Sequence, residues 1–358
     1  MRIHSIFRGE SVNFLRIILI MLSLVVCNIF AGEKVQTVNP DASLEVVELL
    51  EYLHSLSGKK TLTGQHNPPI RGTRRLSVVH RLTGKYPAMV GYDFGFSYPG
   101  YWDGINYRQQ IVDEAIRRHE QGFINTIMWH AVVPTADEPV SFKPYILTEN
   151  SDHHLTDKEW KELTIEGTSL NQRWKSQVDV IAFFLKQLRY AKVPVLWRPY
   201  HEMNGSWFWW CDRPGGEGYV KLYRMLYDRF VNFHKLNNLV WVWNANELKP
   251  GVPNYKDYYP GDDVVDILAT DVYTTGFNEK NYTKLSELAG EKLIAIGECG
   301  NPPGPEKLKK QPKWTWFMKW GETARDEKEV YNSNRVINFE DLPRVDIKEP
   351  KVHYPVLK

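Results

Sequence analysis

The chain has 358 residues, 42% hydrophobic and 25% charged, with a formal net charge of +2. Its composition is that of an ordinary globular protein, long enough for one large barrel or two ordinary domains. Setting residues 1–31 aside balances basic against acidic side chains, which removes the electrostatic case for nucleic acid or an anionic membrane and suits an uncharged ligand.

Arg2, Arg8 and Arg16 lead into an apolar run from Ile17 to Ala31. A basic start, a short apolar run and a small final residue predict a secretory signal peptide over 1–31, and a periplasmic or extracellular protein from 32 to 358. The run is short for a membrane span, and no later stretch is long enough. Cys27 within it leaves a lipoprotein as the alternative. Only Cys211 and Cys299 remain after it, too few for a disulfide framework or a zinc ligand set. One bridge between them and two buried thiols are equally open.

The spacing of Leu44, Val47, Leu50 and Leu53 predicts a helix that ends by Gly58. A first strand follows at 60–66, a helix at 76–84, a second strand at 86–94, a helix at 107–121 and a third strand at 123–130. Residues 131–169 read as a long loop insertion. The helix at 169–192 carries Val178, Ile181, Phe184, Leu185 and Leu188 on one stripe. The fourth strand begins at Val195, and its alternation puts Arg198, Tyr200 and Glu202 on one face. Further strands are expected at 238–244, 264–273, 292–298 and 314–320, with helices at 219–235, 283–289 and 321–332 and an irregular tail. Eight mostly apolar strands alternating with helices predict an α/β fold, a single-domain (β/α)8 TIM barrel. An open doubly wound sheet is the alternative, but no GxGxxG follows the first strand.

In such barrels, chemistry collects at the carboxyl ends of the strands. Those ends carry Gln65 and His66, Asp93, His130, His201 and Glu202, Asn244 and Asn246, Asp271 and Tyr273, Glu298, and Trp316 and Trp320. Glutamates ending strands four and seven suggest retaining glycoside hydrolysis: one carboxyl protonates the leaving oxygen and the other attacks the anomeric carbon. Glu202 is assigned as acid/base and Glu298 as nucleophile, which requires environments that separate their pKa values. Tyr273 is placed to hydrogen-bond Glu298, and His130 to orient a carboxylate or a sugar. Arg198 is expected inside the barrel as a charge partner below the site. Trp207 and Trp316 are expected on the ligand side, while Trp209 and Trp210 are undecided.

The segment Arg198-Pro199-Tyr200-His201-Glu202-Met203-Asn204-Gly205-Ser206-Trp207-Phe208-Trp209-Trp210 resembles the acid/base signature of glycoside hydrolase family 26, the β-mannanases. Asp93 in Gly91-Tyr92-Asp93-Phe94, His130 after Trp129, Asp271-Val272-Tyr273, and Glu298 after Ile296-Gly297 fit the same family. The resemblance covers about residues 42–320. It implies Glu202 as proton donor, Glu298 as nucleophile, and His130, His201, Trp207, Tyr273 and Trp316 around the sugar. It implies a metal-free, cofactor-free secreted enzyme, expected as a monomer, cleaving internal β-1,4-mannosidic bonds of mannan, glucomannan or galactomannan. A β-glucanase or β-xylanase on the same barrel, an exo-acting mannobiohydrolase and a sugar-binding protein on an inactive barrel remain as alternatives.

Overall fold

The computed structural model describes residues 35–68, 74–95, 104–321 and 327–343, so the expected signal peptide and Cys27 lie outside the described residues. From Thr37 onward the described chain belongs to one unit. Eight strands form a closed parallel barrel: β1 Thr61–His66, β2 Met89–Asp93, β3 Ile124–Trp129, β4 Val195–Pro199, β5 Leu239–Asn246, β6 Ile267–Val272, β7 Leu293–Cys299 and β8 Trp314–Lys319. Each pairs with the next, and β1 closes the ring on both β2 and β8. The strands are buried almost throughout, which is why they read as apolar runs rather than alternating ones.

The helices around the barrel follow from apolar stripes and capped starts. Helix α1, Leu44–Leu56, buries Val46, Leu49, Leu50, Leu53 and Leu56, and the Ser43 hydroxyl accepts from the Val46 amide. Removing such a cap costs about 1 kcal/mol. Helices α2 Arg74–Thr83 and α3 Arg108–Glu120 follow β1 and β2. Helix α6, Ser169–Tyr190, buries Trp174, Val178, Ile181, Leu185 and Leu188 behind a Thr168 cap.

The insertion between β3 and β4 is not all loop. It holds a short turn, α4 Phe142–Tyr145, and a helix, α5 Asp157–Thr164. The latter starts in a capping box in which Thr156 and Glu159 bond reciprocally. Helix α7, Tyr219–Asp228, continues as a wider turn through Phe233. Helix α8, Glu279–Ala289, starts four residues before its expected position because the Asn278 side chain accepts from the Asn281 amide. Helix α9, Pro305–Lys310, occupies what reads as a Pro/Lys-rich loop. The last expected helix reduces to α10, Lys328–Tyr331, with residues 322–326 outside the described set. The tail adds β9, Val336–Ile337, which pairs with Thr61 and Leu62 of β1, just ahead of the residues that pair with β2.

Two departures from regular sheet geometry position the site. Strand β4 ends at Pro199, and both Tyr200 and Glu202 take left-handed backbone conformations, with φ of 47° and 55°. The expected alternation through Glu202 therefore fails three residues early. On β7 the register slips so that Thr270 pairs with Ile296 and Asp271 with Glu298, leaving Gly297 in an irregularity. A methyl group at Gly297 would sit 1.6 Å from Asn244 Oδ1 and 2.8 Å from Asp271 Oδ1, so only glycine fits.

Candidate active site

The fourth strand stops where the chemistry begins. A non-glycine residue held left-handed costs about 1–3 kcal/mol, a cost met only where surrounding contacts fix the conformation. At Glu202 the backbone amide donates to Asn244 O at 2.8 Å, and the carbonyl accepts from Gly205 N at 2.9 Å and Cys211 Sγ at 3.2 Å. Asn204 then locks the turn to β5, donating to Asn246 O at 3.0 Å and accepting from Asn246 N at 2.7 Å. Cys211 and Cys299 are both free and buried, so the bridge between them does not form.

The Glu202 carboxyl is partly buried and accepts one side-chain hydrogen bond, from Trp207 Nε1 at 2.8 Å. Burial and the negative charge of Glu298 push its pKa up to about 8, against smaller opposing effects of Trp207, His130 and Arg198. The Trp207 ring lies across Gly205, where a methyl group would come within 2.4 Å of it. Trp207 is also tied to the insertion: its carbonyl accepts from the amides of Thr148 and Glu149, and Leu147 pairs antiparallel with Phe208. Ser206 Oγ adds a hydrogen bond to Glu149 at 2.7 Å.

Glu298 has a different setting. Arg198 Nη2 donates to Oε1 at 2.8 Å and the Tyr273 hydroxyl donates to Oε2 at 2.7 Å. Arg198 is buried beneath, as expected, and also reaches Asn244 Oδ1 at 3.2 Å and Asp271 at 3.6 Å. Asp271 is fully buried, and burial with the nearby Glu298 raises its pKa well above the usual carboxylate range.

Two histidines stand edge to face near the glutamates, with ring centroids 4.5 Å apart. His130 Nδ1 meets Asp93 Oδ2 at 2.5 Å, and the other Asp93 oxygen accepts from Gly95 N and His130 N. Burial lowers the His130 pKa, but Asp93 outweighs it and the net shift is upward. His201 is pushed far down by burial, by His130 and by Arg198, so it is neutral, with Nε2 3.8 Å from Glu298 Oε1. Ligand atoms of His201, Glu202 and Asp271 lie within 4.8 Å of one another, a spacing a small ion could use. The Arg198 guanidinium beside Asp271 already supplies positive charge there.

Of the residues expected around the sugar, His130, His201, Trp207 and Tyr273 converge with the glutamates. Trp316 does not. It lies within β8 opposite Leu62 and is 0% exposed. The partly exposed aromatic at the end of that strand is Trp320, stacked on His66 at 4.1 Å and 6.2 Å from His130. Trp209 and Trp210 are fully buried and donate to Ala131 O and His201 O, so they support the acid loop from behind. Sequence reasoning also missed Glu247, whose carboxylate grips the turn after Tyr273. An acid just past Asn246, at the end of β5, was the available signal.

Comparison with known proteins places the chain among glycoside hydrolases of this fold. A mannan endo-1,4-beta-mannosidase of Thermothelomyces thermophilus is 36% identical over 320 residues, covering 85% of this chain and 62% of the relative. The chain thus spans about three-fifths of that relative's length. A Bacillus subtilis protein of the same name is 26% identical, with 88% and 90% coverage. Among solved structures, GH26A from Muricauda sp. MAR_2010_75 superposes with a TM-score of 0.79 at 44% identity, covering 86% of this chain and all of that one. A beta-mannanase from a symbiotic protist of the termite Reticulitermes speratus, complexed with gluco-manno-oligosaccharide, gives 0.72 at 28% identity, with 86% and 97% coverage. With the family model "Glycosyl hydrolase family 26" matching residues 38–341, the chain belongs to that family.

Proposed function

We propose that this chain is a secreted endo-acting β-1,4-mannanase that works with retention of anomeric configuration. The observation that carries the reading is the unequal treatment of two glutamates in one site. Glu202, with a pKa of about 8, holds its proton at neutral pH and delivers it to the leaving glycosidic oxygen. Glu298, aimed by Arg198 and Tyr273, attacks the anomeric carbon as a carboxylate and forms a glycosyl ester. In the second step the Glu202 carboxylate takes a proton from water. That water attacks the same carbon from the face the leaving group vacated, and Glu298 departs.

His130 on Asp93, neutral His201, Trp207 and Trp320 line the approach to this pair and suit a neutral sugar, with Trp320 in the stacking role expected of Trp316. Mannan as substrate is supported by the names of the relatives. Secretion is supported by the sequence of residues 1–31 alone.

The test is the product profile on linear and galactose-substituted mannan, with the anomer of the first product followed by NMR. Mixed oligosaccharides appearing early with β configuration support the reading. Disaccharide alone makes the enzyme exo-acting. An α-configured first product removes the retaining mechanism, and turnover of xylan or glucan with mannan untouched removes the substrate assignment.

A further inference from the structure

Tyr273 is a paradox of positioning. Its hydroxyl makes a 2.7 Å hydrogen bond to Glu298 Oε2, yet the residue is 45% exposed. Packing cannot hold so open a ring as it holds a core side chain. One flank lies near Gly300, where a methyl group would stand 3.3 Å from the ring. Besides its hydrogen bond to Glu298, the phenol is positioned by the backbone that carries it.

That backbone is gripped from the end of β5. Glu247 Oε1 accepts from the amide and hydroxyl of Thr274, at 2.7 and 2.6 Å. Oε2 accepts from the amide and hydroxyl of Thr275, at 2.9 and 2.6 Å. One carboxylate therefore fills its lone pairs with the two residues directly after Tyr273. Burial pushes the Glu247 carboxyl up, but the Thr274 and Thr275 hydrogen bonds outweigh this and hold it below the usual range. The grip has its own brace. Asn281 of α8 donates to Thr275 Oγ1 at 2.9 Å and accepts from Leu248 N at 2.7 Å, bridging the two loops. Glu247 N donates to Asp271 O at 3.0 Å, completing a closed frame around residues 271–275.

We propose that Glu247 is a positioning residue for the reaction: by clamping Thr274 and Thr275 it fixes the Tyr273 hydroxyl on Glu298. This inference rests on the reading of Glu298 as the nucleophile. Glu247 is buried and its carboxylate is taken up by Thr274 and Thr275, so its effect passes through Tyr273.

Two measurements test the proposal. The first is a double-mutant cycle on kcat with an aryl β-mannoside, using Glu247→Gln, Tyr273→Phe and the pair. A glutamine keeps the volume but can accept from only one of the two threonine pairs. Glu247→Gln should lower kcat by about tenfold to a hundredfold, the scale of a small misplacement, with KM within about twofold. In the Tyr273→Phe background it should lower kcat no further. Fully additive effects, or a kcat equal to wild type, would overturn the clamp. Thr275→Val, which deletes one donor while leaving Glu247 charged, should behave as a weaker copy of Glu247→Gln in the same cycle; additivity there would count against it equally.

The second measurement is amide hydrogen exchange at Thr274 and Thr275, which needs no substrate. It should speed up in Glu247→Gln, and unchanged exchange would overturn the proposal. Failure of the wild type to cleave mannan or the mannoside would instead remove the assigned function, with exchange still judging the clamp.

Discussion

The two glutamates are the same side chain at the ends of two strands of one barrel, yet their supports differ at every level. Glu298 lies inside a strand that continues to Cys299 despite register slips against both neighbours, and it receives a buried arginine and a phenol. Glu202 follows a strand that has stopped, on a left-handed backbone, with one indole N–H for company. The first setting stabilises negative charge. The second, through burial and the facing carboxylate, opposes it. On the proposed mechanism, role is set by the shell and not by the carboxyl.

The sharpest way to break the comparison is to remove each acid. Glu298→Ala should lower kcat/KM by more than about a thousandfold on every substrate, checked by steady-state kinetics. Glu202→Ala should cost about 10²–10⁴-fold for mannan, whose leaving group is poor, and far less for the first step with an activated aryl mannoside. Equal losses on both substrates would refute proton donation.

Smaller changes test the electrostatic side. Trp207→Phe keeps an aromatic ring, though a smaller one, but removes the donor that favours ionised Glu202. The Glu202 pKa then rises from about 8, and the alkaline limb of the kcat/KM profile moves to higher pH. The rate at neutral pH should fall roughly fivefold, the worth of one hydrogen bond.

The raised pKa also has a stability sign. Folded Glu202 binds its proton more tightly than the unfolded chain does, so its ionisation destabilises the fold as pH climbs from about 4.5 toward about 8. Glu202→Gln removes that penalty and should raise Tm by about 2–4 °C at pH 9, with little change at pH 5. Calorimetry at the two pH values measures the difference.

The barrel was legible because strands buried on both faces must be apolar, and all eight stand where the apolar runs stand. Much of the site was legible because strand ends concentrate chemistry. What escaped had physical reasons. Trp316 lies within β8 and Trp320 directly follows it, and only their burial in the fold separates the core ring from the open one. The Thr156 to Glu159 capping box was readable, but polar residues around it masked helix α5. Strand alternation cannot be carried through Tyr200 and Glu202, because nothing in a glutamate signals a left-handed backbone. Glu247 acts on residues 27 and 28 positions later, a distance that single-sequence patterns do not span.

The ties between the insertion and Trp207 carry one more consequence. The insertion and the loop that carries Glu202 share backbone hydrogen bonds at 148, 149 and 207. The conformation of the insertion and the placement of Trp207 on Glu202 are therefore inherited together. A chimera that exchanges residues 131–169 for another loop must reproduce two amides aimed at one carbonyl, or it changes the setting of Glu202 along with the loop.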